Sequence, residues 1–550
     1  MLRSMLFAAV AFACLSASQV HADPPEPYYD LGEIQYDTST DSKQAQLWFD
    51  RGLGMCLGFN HEEAVRCFER ALQADAEFPM AWWGIAYALG PNINNPLNEV
   101  HQVAQASLAA RMADLYADQA NDTERGLIDA IKQRYVLPVP EDRTPQNKAY
   151  SNAMRKLHEQ HPEDALITML FADSLMMLHP WKLWSPDGTP APVTSELVAL
   201  LEAGLDQWPD HPGLCHLYIH TMEASPTPEK ALPAAERLQD MVPGSGHLVH
   251  MPSHIYVLVG DYEMVIATNE HAIAVDEEFL EAEGPYNFYT LYRVHNYHFL
   301  VYGAMFDGQR DLAMQAARDL VKTIPEDYLK AQTDFLDAFI PTPLHVMVRF
   351  GMWDEILDEP EAPEYLPVTR AIRRYARAVA YAATGRVDEA EAEHQAFLDE
   401  KARVPESSFL FQNASLDILG VAEKMIAGEI AYRRGEFDEA FDHLREAVQR
   451  DDGLNYDEPW GWMQPARHAL GALLLEQGHF DEAADVYRAD LDRHPNNPWA
   501  LHGLAECLDH QGRSEAAGML RQQLTTATKR ADVKIDRSCF CRTGDPTESQ

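Results

Sequence analysis

The sequence predicts an all-α protein, an α-solenoid in which helical hairpins stack side by side. At 550 residues the chain is too long for one compact globule unless it is built from repeats. Three segments, GRVDEA at 385–390, GEFDEA at 435–440 and GHFDEA at 478–483, are near copies of one turn and helix start. Glycine accepts the left-handed turn conformation, and the acidic pair favours a helix N-terminus. Recurrence of such a unit indicates a stacked array.

Small and aromatic residues also recur at fixed places in the predicted hairpins. Small residues let the two helices of a hairpin approach closely, and an aromatic ring fills the gap between neighbouring hairpins. The first hairpin carries this pattern at Trp48, Gly52, Ala64, Phe68 and Ala71. The segment MAWWGIAYALG at 80–90 opens the next hairpin in the same way.

Together these patterns resemble the tetratricopeptide repeat (TPR) superfamily over most of residues 45–525, most weakly over 92–160 and 400–420. The resemblance implies a right-handed superhelix of TPR-like hairpins whose concave inner surface is the functional face. We predict a TPR-like half at 45–350, further TPR repeats at 351–527, an irregular extension at 23–44 and a Cys-x-Cys tail at 528–550.

The acidic composition of the chain restricts the classes of molecule that it is expected to bind. The formal net charge is −42 and the pI is near 4.8, so the sequence predicts no binding to nucleic acid or to an anionic membrane surface, which need clustered Lys and Arg. We expect a peptide or protein in the concave groove as one class of partner. No transmembrane segment is predicted, because no apolar run after the N-terminus reaches about 18 residues.

The N-terminus predicts export. Arg3 begins a positive region, an apolar run follows from Met5 to Leu15, and the small-residue cleavage site before Asp23 makes residues 1–22 a signal peptide. The mature protein is therefore expected in the periplasm or secreted. A lipoprotein attached at Cys14 is the less favoured alternative, because the usual leucine is missing.

Histidines concentrate in the segment GHLVHMPSHIYVLVG at 246–260, which has three within eight residues at separations of three and four. Such separations place side chains on one face of a helix. Imidazoles at this spacing chelate Zn²⁺ or Cu²⁺ well, since both rings reach one ion without bending the backbone. Two further closely spaced pairs occur, His216 with His220 and His295 with His298.

The TPR resemblance implies that these residues occupy concave-facing places of consecutive repeats. Because so many imidazoles at such places can chelate an ion, we predict a transition metal, copper, zinc or iron, held on that face. The predicted ligands are His216, His220, His247, His250, His254, His295 and His298. The predicted supporting or groove-lining residues are Glu223, Asp173, Trp83, Tyr87, Tyr302 and His345.

Pro252 lies between His250 and His254 and removes a backbone hydrogen bond there. Either the helix is kinked at this proline, or a helix begins at it. The surrounding HMPSHIY motif, with WWGIAYALGPN upstream, also resembles a group of exported bacterial TPR proteins without an established activity.

Three functions remain open from the sequence. The first is an exported TPR protein that binds a transition metal. The second is a peptide- or protein-binding scaffold without metal. The third is a metalloenzyme with His216, His220 and His254 as ligands and Glu223 or Asp173 as a base. No HExxH motif, phosphate loop or Ser/His/Asp order is present.

Two cysteines of the first predicted hairpin, Cys56 and Cys67, are disulfide candidates in an oxidising compartment. Packing roles for both thiols are the alternative. Cys539 and Cys541 are too close in sequence for an unstrained bond with each other.

Overall fold

The computed structural model describes residues 28–96 and 100–544 and shows an all-α solenoid of helical hairpins, as predicted. The predicted signal peptide lies outside the described residues. Consecutive helices pack against each other along the chain. The first part of the array comprises α1 Lys43–Leu57, α2 His61–Ala74, α3 Pro79–Ala88, α4 Val100–Leu115, α5 Asp122–Gln133, α6 Thr144–Gln160, α7 Ala165–Met176, α8 Thr194–Gln207, α9 Pro212–Met222, α10 Leu232–Leu238, α11 Gly246–His250, α12 Pro252–Val259 and α13 Tyr262–Glu283.

The second part contains further helical hairpins and one short β-hairpin, β1 with β2, at 409–414. Its elements are α14 Tyr289–Asp307, α15 Arg310–Lys322, α16 Glu326–Ala331, α17 Thr333–Leu336, α18 Thr342–Arg349, α19 Trp353–Asp358, α20 Pro367–Ala383, α21 Val387–Lys401, β1 Phe409–Leu410, β2 Asn413–Ala414, α22 Ser415–Arg433, α23 Phe437–Asp452, α24 Ala466–Glu476, α25 Phe480–Arg493, α26 Pro498–His510 and α27 Ser514–Ala527. Both predicted halves are helical, and the boundary at 350 stays a prediction.

The predicted turn is present in all three near-copy segments. Gly385, Gly435 and Gly478 have φ of 76°, 80° and 79°, the left-handed region that favours glycine. Acidic residues occupy the first turn of the helix that follows each glycine. The repeated sequence therefore fixes the repeated hairpin.

The predicted small-residue spacing is confirmed by the packing between hairpins. A Cβ added to Gly52 or Gly84 would come within 2.6 Å of the Phe68 ring. Tyr487 fills the same place farther along the chain, between Gly471 and Gly503. Glycine is required here because the aromatic ring takes the space of its side chain.

Two apolar clusters form the core, one reaching from Leu31 to Tyr292 and the other from Tyr256 to Cys541. They overlap along the chain in α12, α13 and the start of α14. Distant repeats also meet there: the Trp499 indole N–H donates to the carbonyl of Met305 at 3.0 Å. The histidine-rich helices therefore lie at the junction of the two clusters.

The cysteines differ from the prediction. Cys56 and Cys67 are both free, buried thiols, which is the packing alternative. The Cys67 sulfur lies 3.0 Å from the Tyr28 hydroxyl, so the N-terminal extension occupies the space beside it. The disulfide that the structure contains joins Cys539 to Cys541, the pairing that their sequence spacing disfavoured.

Candidate metal centre

Four helices bring the histidines together. His216 and His220 lie on α9, His247 and His250 on α11, His254 on α12 and, across from them, His295 on α14. They form two all-histidine groups whose potential ligand atoms lie within 4.8 Å of one another, and His220 and His254 form a third such group with Glu223. The first trio is His216, His220 and His247, and the second trio is His250, His254 and His295.

A helix begins at Pro252, which settles the two interpretations of that proline. The residue stands in the first turn of α12, where proline is tolerated because its missing N–H has no partner there. Met251, between α11 and α12, keeps helical angles, φ −50° and ψ −37°. His250 and His254 therefore remain nearly one turn apart across the break.

The expected concave wall is an interior cluster instead of an open groove surface. Five of the six histidines are at most 5% exposed, and His295 is half-buried. The reason is tertiary: the β1–β2 hairpin and the segment between α23 and α24 cover the second trio, and Phe59 packs on the first. The Phe411 ring at the hairpin tip lies 5.2 Å from the ring of His295.

In the first trio the Nε2 atoms of His216 and His247 face each other at 3.2 Å. The Nδ1–H of His216 donates to the carbonyl of Leu57 at 2.9 Å, which leaves a lone pair on its Nε2. In the same way the Nδ1–H of His220 donates to Glu223 Oε1 at 3.0 Å, and its buried Nε2 has no hydrogen-bond partner.

The second trio repeats this arrangement. His250 and His254 place their Nε2 atoms 2.8 Å apart. The Nδ1–H of His250 donates to Asn269 Oδ1 at 2.7 Å, and that of His254 donates to Glu223 Oε2 at 2.8 Å. Outer partners of this kind fix the tautomer and orientation of metal-binding histidines.

Glu223 connects the two trios, because one carboxylate oxygen accepts from His220 and the other from His254. Burial alone would raise the pKa of Glu223, but His220 and His254 lower it below its usual value. The group is therefore a carboxylate. As the C-cap of α9, it follows His220 by less than one turn.

The opposed Nε2 atoms of His250 and His254 need a cation between them, a proton or a metal ion. With both Nδ1–H groups already donating, two neutral rings would face each other with lone pairs at 2.8 Å and repel. In the first trio, His247 Nδ1 has no partner among the described residues, so without metal the Nε2–H of His247 can donate to His216. Two nitrogens bound to one ion at about 2.0–2.1 Å lie roughly 2.9–3.4 Å apart for ligand angles near 90–110°. The spacing in both trios is close to that of two imidazoles on one metal ion.

Protonation supports the same arrangement. Burial lowers the pKa values of His216, His247, His250 and His295 well below the usual histidine range, so these rings are neutral and able to bind metal. For His254, burial is outweighed by the carboxylates of Glu458 and Glu223, which raise its pKa to about 10. Without metal, a proton on His254 is the cation between the two rings.

Sequence reasoning missed Glu458, whose carboxylate contacts Nδ1 of His254 from the segment between α23 and α24. Burial raises its pKa to about 8. No motif surrounds this glutamate, and 204 residues separate it from His254 along the chain. Only the tertiary fold brings the two together.

A cavity of about 430 Å³ opens beside the cluster. His220 and His247 of the first trio line it, as do His254 and His295 of the second. Glu458, several other polar side chains and a set of aromatic side chains also line it. Both trios therefore face the same space.

Family comparisons identify the repeats. Two tetratricopeptide-repeat family models match the chain, at residues 474–532 and 372–393. These two segments are tetratricopeptide repeats. Such repeats suggest a protein-binding scaffold. A comparison with curated proteins finds no match.

Solved structures similar to this TPR protein are distant. The human IFIT1 dimer with m7Gppp-AAAA has 12% identity and a TM-score of 0.31, covering 90% of this chain and 91% of that chain. A Rap protein complexed with Competence and Sporulation Factor has 10% identity and a TM-score of 0.33, covering 82% and 98%. Neither likeness supports a functional inference. Among the described residues, no helix combines the length and the apolar character that a membrane span requires.

Backbone strain concentrates around the histidines of this TPR protein. Among described residues other than glycine, positive φ occurs at Phe59, Trp181, Phe411 and Asn496. The three aromatic members all contact the trios: Phe59 lies 4.4 Å from His216 and Trp181 lies 6.0 Å from His220, centroid to centroid. A bulky residue in this region is an outlier, and such strain clusters at functional sites.

Phe59 stands where other TPR turns have glycine. The Phe59 N–H donates to the Cys56 carbonyl, and the Asn60 N–H donates to the Met55 carbonyl. The turn at Gly435 has the same two hydrogen bonds. In place of the glycine, the Phe59 ring lies against His216 and His247. The ring is retained despite a backbone cost of about 1–2 kcal/mol.

We expect Phe59→Gly to lower the free energy of unfolding by about 2–3 kcal/mol, since losing a buried ring costs about 3–5 kcal/mol and the strain relief returns only part of it. Denaturant unfolding of matched preparations measures this. Gly435→Ala is the control for backbone cost alone, because no atom lies within 4 Å of the added Cβ; it should cost about 1–2 kcal/mol. A stabilised Phe59→Gly protein would contradict a packing role for the ring.

Several predicted site residues lie elsewhere. His298 does not join the trios; with His345 it lines a separate small cavity, and its ring packs on Phe339 at 5.1 Å. Successive residues of a helix are rotated by about 100° around its axis, so three positions leave His298 offset from His295 by about 60°. That offset turns His298 towards a neighbouring face of the helix.

Of the remaining groove candidates, Trp83, Asp173 and Tyr302 are buried and Tyr87 is half-buried. None of the four lines the cavity beside the trios. Trp83 and Tyr87 stack on each other at 5.5 Å. Burial raises the pKa of Asp173 to about 6, with Arg134 opposing the rise. Tyr302 stacks on Phe306 at 4.6 Å. These positions are packing sites in the structure.

Proposed function

We propose that this TPR protein binds two transition-metal ions in its interior, one in each histidine trio. The observation that carries the proposal is the pair of opposed Nε2 contacts, 3.2 Å between His216 and His247 and 2.8 Å between His250 and His254. Imidazole-rich ligand sets suit zinc, copper and iron. Glu223 supports both trios from the outside, as carboxylates do in histidine metal sites.

Burial favours metal over the scaffold alternative for these particular residues. A histidine that contacts a bound peptide must be reachable from the groove, yet His216 and His250 are 1% and 0% exposed. Peptide binding by other surfaces of the repeats is compatible with an internal metal centre. We also propose that the protein is exported, as the sequence of residues 1–22 indicates.

Elemental analysis of untagged protein, expressed with its own leader, tests both parts. We expect two equivalents of transition metal per chain, directly or after reconstitution with zinc or copper and removal of the excess. Intact mass of the same preparation should correspond to a chain that begins at Asp23. Protein that binds neither zinc nor copper would overturn the metal-binding proposal and leave a scaffold role. An unprocessed mass would overturn the export proposal alone.

A further inference from the structure

The cavity gives both trios an open side. Three histidines leave at least one position free on a four-coordinate ion, and catalytic metal sites keep such a position for water or substrate. His220 Nε2, which lines the cavity, is buried and has no hydrogen-bond partner. Metal ions in the trios would therefore be approached from this space.

Six aromatic side chains share the rest of the wall with the apolar residues Pro96 and Leu291 and with six polar or acidic residues, Asn94, Asn95, Gln332, Gln412, Asp457 and Glu458. The volume of about 430 Å³ falls within the roughly 300–1,000 Å³ typical of small-molecule sites. Its aromatic lining residues are Trp181, Phe288, Tyr292, Phe335, Phe409 and Phe411. Aromatic rings around a cavity favour a planar aromatic occupant through offset and edge-to-face contacts.

Two of these aromatic residues have a strained backbone conformation. Trp181 and Phe411 have φ of 58° and 47°. Phe411 forms the tip of the β1–β2 hairpin, and Asp457 secures the hairpin by accepting from the Gln412 N–H at 3.0 Å. The neighbouring Glu458 contacts the second trio. One segment thus positions both the aromatic wall and the histidines.

We propose that the cavity binds a small aromatic molecule through a phenolic oxygen that ligates a trio-bound metal ion, with its ring between the aromatic side chains. The inference rests on the proposed function, because the oxygen needs a metal ion as its partner. An oxygen ligand suits the free position, and the apolar walls suit the ring.

The probe is 4-nitrocatechol, whose visible absorption changes when its oxygens bind a metal ion. Protein is loaded with zinc(II), which has no redox chemistry that could consume a catechol, and unbound metal is removed before titration. We expect a saturable absorption shift at one equivalent of probe per chain and no shift with metal-free protein. Phe411→Ala should weaken probe binding roughly fivefold or more through lost ring contact, with unchanged zinc content.

Phe437→Ala is the matched control, since this ring on α23 does not line the cavity and should leave probe affinity unchanged. Phe288→Ala serves as a second cavity variant if Phe411→Ala does not fold. Zinc-loaded protein that shows no saturable shift would overturn the inference and leave metal binding intact. A shift of equal affinity in wild type and both cavity variants would place the probe outside the cavity. Absence of bound zinc and copper would overturn the inference together with the proposed function.

Discussion

His216→Ala combined with His220→Ala is expected to remove one of the two bound metal ions and to leave the second in place. The double substitution removes two of the three ligands of the first trio. The second trio, His250, His254 and His295, is unchanged. Metal content per chain should fall from two equivalents to one. Elemental analysis after extensive dialysis measures the change, and circular dichroism checks that the helical fold is kept.

The reciprocal variant, His250→Ala with His295→Ala, should also retain one equivalent. The matched control is His271→Ala with His479→Ala, two exposed histidines outside the trios, which should keep two. Loss of both ions in either trio variant would indicate one shared centre. Unchanged metal in the trio variants would show that other residues are the ligands.

Glu223→Gln is expected to weaken metal binding at both trios, by about 10–100-fold each. A carboxylate accepts from His220 and His254 at the same time, 3.0 Å and 2.8 Å away. A carboxamide has one acceptor oxygen, and its amino group would face the second Nδ1–H as donor against donor. Titration against a chelator of known affinity gives both binding constants.

Glu236→Gln, an exposed glutamate on α10, provides the control and should leave both constants unchanged. Glu223→Ala should have a larger effect, because position 223 then offers no acceptor to the Nδ1–H of either His220 or His254; removing one partner of a buried pair costs about 3–5 kcal/mol. If Glu223→Gln affected only one trio, the carboxylate would not act as the link between them.

The sequence by itself determined the helical array and which histidines could serve as ligands in the proposed metal centre. Local turn chemistry is enough for the hairpins: Gly385, Gly435 and Gly478 adopt the left-handed conformation that their sequence context predicts. The glycines against Phe68 are equally local, because one ring and two small residues define each hairpin contact. Helical spacing also placed His216 beside His220 on one face of α9.

The tertiary structure alone decided how the histidines combine. Spacing within a helix cannot state which face a neighbouring repeat or a distant segment will cover. That is why Glu458 was missed and why His298, a predicted ligand, lies with His345 in another cavity.

The tertiary structure also decided how deeply the histidines are buried. Phe411 and Glu458 come from segments more than a hundred residues after His295, and they convert a predicted groove wall into an interior cluster. Removing the rings from water lowers the pKa values of most of these histidines, while the carboxylates of Glu458 and Glu223 raise that of His254. Helical periodicity selects the residues, and long-range packing sets their solvation, their partners and therefore their chemistry.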